Sequence, residues 1–181
     1  MPELSDFSFK ILEVNDKYNF DCGDADLTEF FHKDAIPHKK ELIGVTYFFY
    51  DASTKSAISF FTVSNDAIQT KPFRDELREG KRYSSYPAVK IGRFGVNKEY
   101  QRQRIGQQTM DFIKQFFVVQ NKTGCRFLTV DAYNKPEILT FYEKNGFTFL
   151  TDNDVNKPTR IMKYDLKIFC DALHSESFAN R

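Results

Sequence analysis

Three cations, Lys98, Arg102 and Arg104, crowd a short polar run that also holds Gln101, Gln103 and Gly106. They sit inside the stretch VKIGRFGVNKEYQRQRIGQ, residues 89–107. Before the run, Val89, Ile91, Phe94 and Val96 alternate as an apolar strand does. After it, Ile105, Thr109, Phe112, Ile113 and Phe116 recur as one buried face of a helix does. A strand that ends in a basic loop, itself opening a helix, is suited to holding phosphate. The first helical turn leaves N–H groups without partners, and the aligned peptide dipoles put partial positive charge at that end. A charge run is by itself usually a solvated face, so the cations alone do not decide the matter.

The other reactive side chains are read in the same way. Asp131 falls on the strand FLTVDAY, on the side opposite Val130, where it either relays a proton through water or stays a hydrogen-bonded strand residue. Glu137 and Glu143 read as helix-surface charges. Cys22 has no cation beside it in sequence, and an isolated cysteine is usually structural. Cys22, Cys125 and Cys170 are odd in number and irregular in spacing, so neither a disulfide framework nor a zinc site is indicated. His32, His38 and His174 form no metal-spaced set. No metal is expected.

Composition narrows the class. The chain of 181 residues is long enough for one domain with a real core. Its 20 Phe and 9 Tyr, with no Trp, make that core aromatic. Lys and Arg (26) nearly balance Asp and Glu (25), so no global field advertises nucleic acid or membrane, and a polyanion would need a local patch. The N-terminal residues MPELSDFSFK lack the apolar centre of a signal peptide, and no apolar run reaches membrane-spanning length. A cytoplasmic protein is expected, with no membrane partner.

The elements that must position these residues follow from pattern. A first strand is predicted over 8–14. A helix follows, with Asp24 or Asp26 as N-cap and Leu27, Phe30, Phe31 and Ala35 on one face; Pro37 should break or kink it near Ile36. GVTYFFYD and AISFFTVSN predict a hairpin near the sheet centre. Residues 66–86 read as a long polar connection with a short helix near Pro72–Glu79. Gly124 should end the helix of the organising stretch, and FLTVDAY, 127–133, is a strand. Asn134 stands where an N-cap belongs, with Glu137 at capping-box spacing, before a helix over 135–145 closed by Gly146. Residues 147–150 and 160–166 are the last strands. The expected fold is α/β: a mixed, mostly antiparallel central sheet flanked by helices in a single domain over 1–169, with a tail over 170–181.

Residues 87–149 resemble the GNAT family of acyl-CoA-dependent N-acyltransferases. The resemblance rests on the strand VKIGRFGV, the loop QRQRIG (101–106), the strand FLTVDAYN and the segment FYEKNGF (141–147). The family loop reads Gln/Arg-x-x-Gly-x-Gly/Ala; Gln101 and Gly106 match, and Arg104 replaces the first glycine. There it either crowds a pyrophosphate or adds a cation to it. A second segment, FDCGDADLTEFFHKDA, is similar to one GNAT subgroup at Phe20, Cys22, Gly23, Leu27 and Phe30. That subgroup includes toxins that acetylate the amino group of aminoacyl-tRNA.

The resemblance implies acetyl-CoA as cosubstrate and direct attack by an amine in a ternary complex. It implies cofactor contacts from the backbone of Phe94, Gly95 and Val96 to the pantetheine arm, and from Gln101, Arg102, Gln103, Arg104, Ile105, Gly106 and Gln107 to the pyrophosphate. It also implies that Asn134 hydrogen-bonds the cofactor, a role compatible with helix capping. Tyr142 is implied as the acid that protonates the departing thiolate, a phenol of pKa ~10 meeting a leaving group of similar basicity. Its plainer reading is an aromatic packed one turn from Ile138. The acceptor stays open among small amines, peptide amines and aminoacyl-tRNA, as do homodimer formation and an antitoxin partner. For tRNA, Lys71, Arg74, Arg78, Lys81 and Arg82 would form part of a basic surface, interleaved with Asp75, Glu76 and Glu79. A non-catalytic acyl-CoA-binding or regulatory module is the alternative from another class, motivated by Arg104.

Overall fold

Alternation and helical spacing resolve into seven strands with helices between them. The computed structural model describes residues 2–71, 73, 83–121 and 123–179, with 120 and 174–179 described by backbone alone. Its strands are β1 (Ser8–Ile11), β2 (Val45–Asp51), β3 (Ser56–Gln69), β4 (Ser85–Val96), β5 (Phe127–Tyr133), β6 (Thr148–Phe149) and β7 (Thr159–Asp165). Its helices are α1 (Ala25–Glu29), α2 (Ala35–Lys40), α3 (Ile105–Val118), α4 (Pro136–Lys144) and α5 (Leu166–Ala179). The strand order is β1-β2-β3-β4-β5-β7-β6. Antiparallel pairing joins β1 to β2, β2 to β3, β5 to β7 and β6 to β7. This is the mixed, mostly antiparallel α/β sheet that the sequence predicts. The helix expected near residues 72–79 lies, residue 73 apart, outside the described residues.

The chain divides into two interleaved compact units, Met1–Ser64 with Ile91–Asp111, and Asn65–Lys90 with Phe112–Arg181. The first has an aromatic core of Phe20, Phe30, Phe31, Phe48 and Phe60 with Leu12, Ala35 and Ala57. Phe20 meets Phe60 edge-on at 5.1 Å and Phe31 at a 40° tilt at 5.0 Å. Rings in this tilted arrangement set edge against face, and burying each contributes roughly 1.5–3 kcal/mol. In the second unit Ile68, Phe73, Ala88 and Phe127 form a smaller cluster, with Phe73 edge-on to Phe127 at 5.4 Å.

Four expectations need correction. β1 stops at Ile11, not at residue 14, because Asp16 closes a turn there: its carboxylate accepts the Glu13 amide and its own amide donates to the Glu13 carbonyl. Pro37 does not end its helix, which runs on to Lys40. The turn before it, Phe30–Asp34, is a π-helix in which the Ala35 amide reaches back to the Phe30 carbonyl. Widening that turn relieves the clash a proline ring makes with the preceding turn.

The buried face of α3 is also rotated. Ile105, Thr109, Met110, Ile113 and Phe117 are buried, as is Lys114, whereas Phe112 and Phe116 are only partly so. The α4 helix, finally, is not capped by Asn134. Pro136 occupies the first turn, Lys135 is the N-cap residue, and no side-chain capping bond is made. Gly146 does adopt the left-handed conformation expected of it, with φ +81°, and a Cβ there would fall 2.9 Å from the Tyr164 ring.

Candidate active site

The polar loop of the first unit starts at an asparagine fixed from three sides. Asn97 is buried; its amide donates to the Ile58 carbonyl at 2.9 Å and its Nδ2 to the Ala57 carbonyl at 3.0 Å. Its Oδ1 accepts the Glu99 amide at 3.2 Å. The end of β4 is thereby fastened to β3, and the chain turns sharply on leaving it. Just before it, Gly95 leaves no room for a side chain: a Cβ would lie 2.7 Å from the Phe60 ring and 3.1 Å from Phe20. Its glycine is thus fixed by ring packing within the core.

From there the loop is clasped to the segment that precedes α1. The Lys98 amide donates to the Asp21 carbonyl at 2.8 Å, and its ammonium donates to Asp21 Oδ2 at 2.7 Å. That hydrogen bond raises the Lys98 pKa, and the same bond, with the Gly23 amide, holds Asp21 below the usual carboxylate range. Gln101 Nε2 bridges the Cys22 carbonyl at 2.8 Å and the Val96 carbonyl at 3.0 Å. Gln103 Nε2 donates to the Glu99 carbonyl at 2.7 Å. Lys98 is therefore an ion-pair partner and Gln101 a loop brace.

Arg102 and Arg104 are different. Both are exposed and both hold a left-handed backbone, with φ +59° and +63°. The backbone at 104 thus has the shape that explains a glycine there, and this chain adopts it with a side chain present. The Arg104 carbonyl accepts the Gln108 amide at 3.0 Å, which makes Arg104 the cap of α3. The amides of residues 105–107 then have no partner within the helix and carry its positive end. Ile105 is completely buried and anchors that end, Gly106 is partly exposed, and Gln107 is exposed. Phe94, Gly95, Val96 and 101–107 all belong to the first unit.

In the second unit, Tyr142 is 6% exposed and packs between Phe141 and Phe147 at ring distances of 5.3 and 5.4 Å. Burial pushes its pKa well above the ordinary phenol value. A phenol in such surroundings stays protonated and gives up its proton only to a strong base. Asn134 does other work than capping. Its Nδ2 donates to the Val155 carbonyl at 2.7 Å and the Lys157 carbonyl at 2.9 Å, so it braces the loop between β6 and β7. The same loop is held by Asp154, which accepts Arg160 Nε at 2.6 Å and the Ile161 amide at 2.7 Å.

The remaining candidates are placed plainly. Asp131 is salt-bridged to Lys90 at 2.5 Å, which ties up the one carboxylate considered as a base. Glu137 and Glu143 are exposed, as the sequence suggests. Cys22 Sγ lies 3.6 Å from both Thr28 Oγ1 and the Asp24 carbonyl. His32 bonds the Phe20 carbonyl at 2.9 Å and His38 stands edge-on to Phe30. Among the described residues no group of three or more His, Cys, Asp or Glu is placed to hold a metal. No helix among them is long and apolar enough to cross a membrane. Of the basic set proposed for RNA, Lys71 is exposed, and Arg74, Arg78, Lys81 and Arg82 lie outside the described residues. Sequence reasoning passes over Asp21 and Arg93; a charge at 93 inside an apolar strand is the signal available for the latter.

Comparison with known proteins bears on the fold. Residues 71–149 match the family model described as "Acetyltransferase (GNAT) domain". Among solved structures, a bacterial toxin superposes with TM-score 0.78 at 18% identity, covering 93% of this chain and 95% of that one. AtaT complexed with acetyl-methionyl-tRNAfMet gives TM-score 0.74 at 18% identity, covering 90% and 96%. AtaTR bound with acetyl-CoA gives 0.74 at 19%, covering 93% and 98%.

Proposed function

We propose, because residues 71–149 match the acetyltransferase (GNAT) domain model, that this chain transfers the acetyl group of acetyl-CoA to a primary amine by direct attack. The observation that carries the reading is the pair of left-handed residues, Arg102 and Arg104, opening α3 with its first amides unpaired within the helix. Those amides would hold the diphosphate, the two guanidinium groups would add charge, and the backbone of Phe94 and Val96 would pair with the pantetheine arm. Acetyl-CoA, once bound, supplies the activated thioester.

Attack by an amine needs a neutral nucleophile and a proton for the leaving thiolate. Tyr142 is the residue assigned to the second task. Burial keeps it protonated and also makes it a weaker acid toward the thiolate than an ordinary phenol would be. No carboxylate is assigned as base, since Asp131 is committed to Lys90. An α-amino group, pKa about 8, is already partly neutral near pH 7.5 and needs less help than a lysine at about 10.4. Asn134 has its amide nitrogen engaged, so only its carbonyl oxygen is left to meet the cofactor.

That preference for an α-amino acceptor, and the likeness to AtaT over 90% of the chain, favour aminoacyl-tRNA as the finer reading of the acceptor. The test is a titration with acetyl-CoA followed by an acceptor screen. Binding plus acetylation of charged tRNA supports both levels. Acetylation of other amines only removes the finer one. Binding without any transfer leaves a non-catalytic module, and no binding defeats the reading.

A further inference from the structure

Arg93 is a cation on β4 whose bonding is incomplete. Its guanidinium lies over the Phe30 ring, with Cζ 5.2 Å from the ring centre. One η nitrogen donates to the neighbouring Gly92 carbonyl at 3.0 Å. Its Nε is shut off from solvent and has no hydrogen-bond partner. Asp26 on α1 brings Oδ2 to 3.9 Å from that Nε, near enough to attract and too far to accept a hydrogen bond. The side chain as a whole remains 40% exposed, so the fork opens outward.

A guanidinium carries five donors in a fixed plane. Here the plane is already set by an aromatic ring, and Gly92 uses a single donor. Its two η nitrogens form an outer edge that matches two oxygens of one oxyanion, which take parallel N–H bonds, whereas the enclosed Nε takes no part. A lysine would meet such a group as a point charge.

We propose that Arg93 binds an oxyanion of the acceptor, phosphate or carboxylate, and so selects which amines are presented. The proposal rests on the reading of the chain as an N-acetyltransferase. Arg93 precedes Phe94, the first residue assigned to the pantetheine arm, so an acceptor held there is fixed to the same strand as the donor. Asp26 competes for the guanidinium and yields when the anion arrives. A phosphodiester of aminoacyl-tRNA and the carboxylate of a free amino acid are the two sources of that chemistry.

The experiment uses the full chain saturated with coenzyme A, so that the donor loop is filled. Two probes are titrated, a single-stranded RNA oligonucleotide ending in CCA and free methionine. One of them is expected to bind the wild type and to lose about tenfold or more in affinity in Arg93→Gln, with Arg93→Lys recovering part of it and Asp26→Asn binding more tightly. The affinity for coenzyme A should be unchanged, and circular dichroism should show each variant folded. If RNA is the source, the salt dependence should also flatten by about one phosphate contact in Arg93→Gln. Binding of both probes to Arg93→Gln as to the wild type, or of neither to the wild type, overturns the proposal. Absence of acetyl transfer by a wild type that still shows the Arg93-dependent binding overturns the enzymatic reading and leaves the anion site standing.

Discussion

Lys98 and Asp21, 77 residues apart in sequence, are joined twice, once through the ammonium and once through the backbone amide. A cation that sequence assigns to a phosphate is thus occupied in holding the wall of its own loop. The prediction is that Lys98→Ala weakens acetyl-CoA by less than about threefold, as expected of an exposed pair. Calorimetric titration measures this. Hydrogen exchange should accelerate at residues 21–24 in the same variant, and a large loss of affinity would return Lys98 to the cofactor.

Arg104 makes the opposite case. Its left-handed backbone costs roughly 1–2 kcal/mol, and a glycine there would remove that strain while adding about 1 kcal/mol of unfolded-state freedom. Arg104→Gly should therefore melt within a few degrees of the wild type or slightly above it. Acetyl-CoA binding should weaken several-fold and become less sensitive to salt, because a guanidinium is lost from the diphosphate. Equal affinity at all salt concentrations would show that the side chain takes no part.

Tyr142→Phe should lower kcat by about a hundredfold or more if the phenol is the acid, with the dissociation constant of acetyl-CoA nearly unchanged. A second consequence concerns alkaline stability. Burial raises the Tyr142 pKa in the folded protein above its unfolded value. The unfolded chain therefore releases this proton first, and stability falls as pH rises beyond about 10. Tyr142→Phe should unfold less readily than the wild type in that range, as urea titrations at pH 9 and pH 11 would measure.

Asp154 and Arg160 form an almost fully buried pair, with 3% and 9% side-chain exposure. Burial alone would raise the Asp154 pKa, but the Ile161 amide and the Arg160 guanidinium outweigh it and hold it below the usual carboxylate value. Its contribution is accordingly present above about pH 4 and fades as pH falls through the folded-state pKa. Asp154→Ala, which strands the guanidinium, should cost about 3–5 kcal/mol in urea unfolding at pH 7. The gap between variant and wild type should narrow at pH 3; a gap that does not change with pH would assign the loss to packing.

Local pattern carried the strands well, because period-two alternation is a property of adjacent residues: β5 spans residues 127–133 as predicted. What it missed depended on distance or on competition. Asn134 has the residue type of a cap, but Pro136 moves the cap position to Lys135, and the amide turns to carbonyls 21 and 23 residues away. Lys98 reads as a free cation because its partner lies in another segment. Arg93 is inconspicuous in a one-dimensional pattern and distinctive only once Phe30 and Asp26 are beside it.

The π-turn at Phe30–Asp34 acts as a phase shifter within the continuous helical run 25–40. One surplus residue is stored there, and everything downstream as far as Lys40 is rotated relative to an unbroken α-helix. A single deletion inside 30–34, paired with Pro37→Ala to permit ordinary winding, would keep the helix while redirecting His38, Lys39 and Lys40. Natural relatives that lack the proline are accordingly expected to have chains one residue shorter at this point.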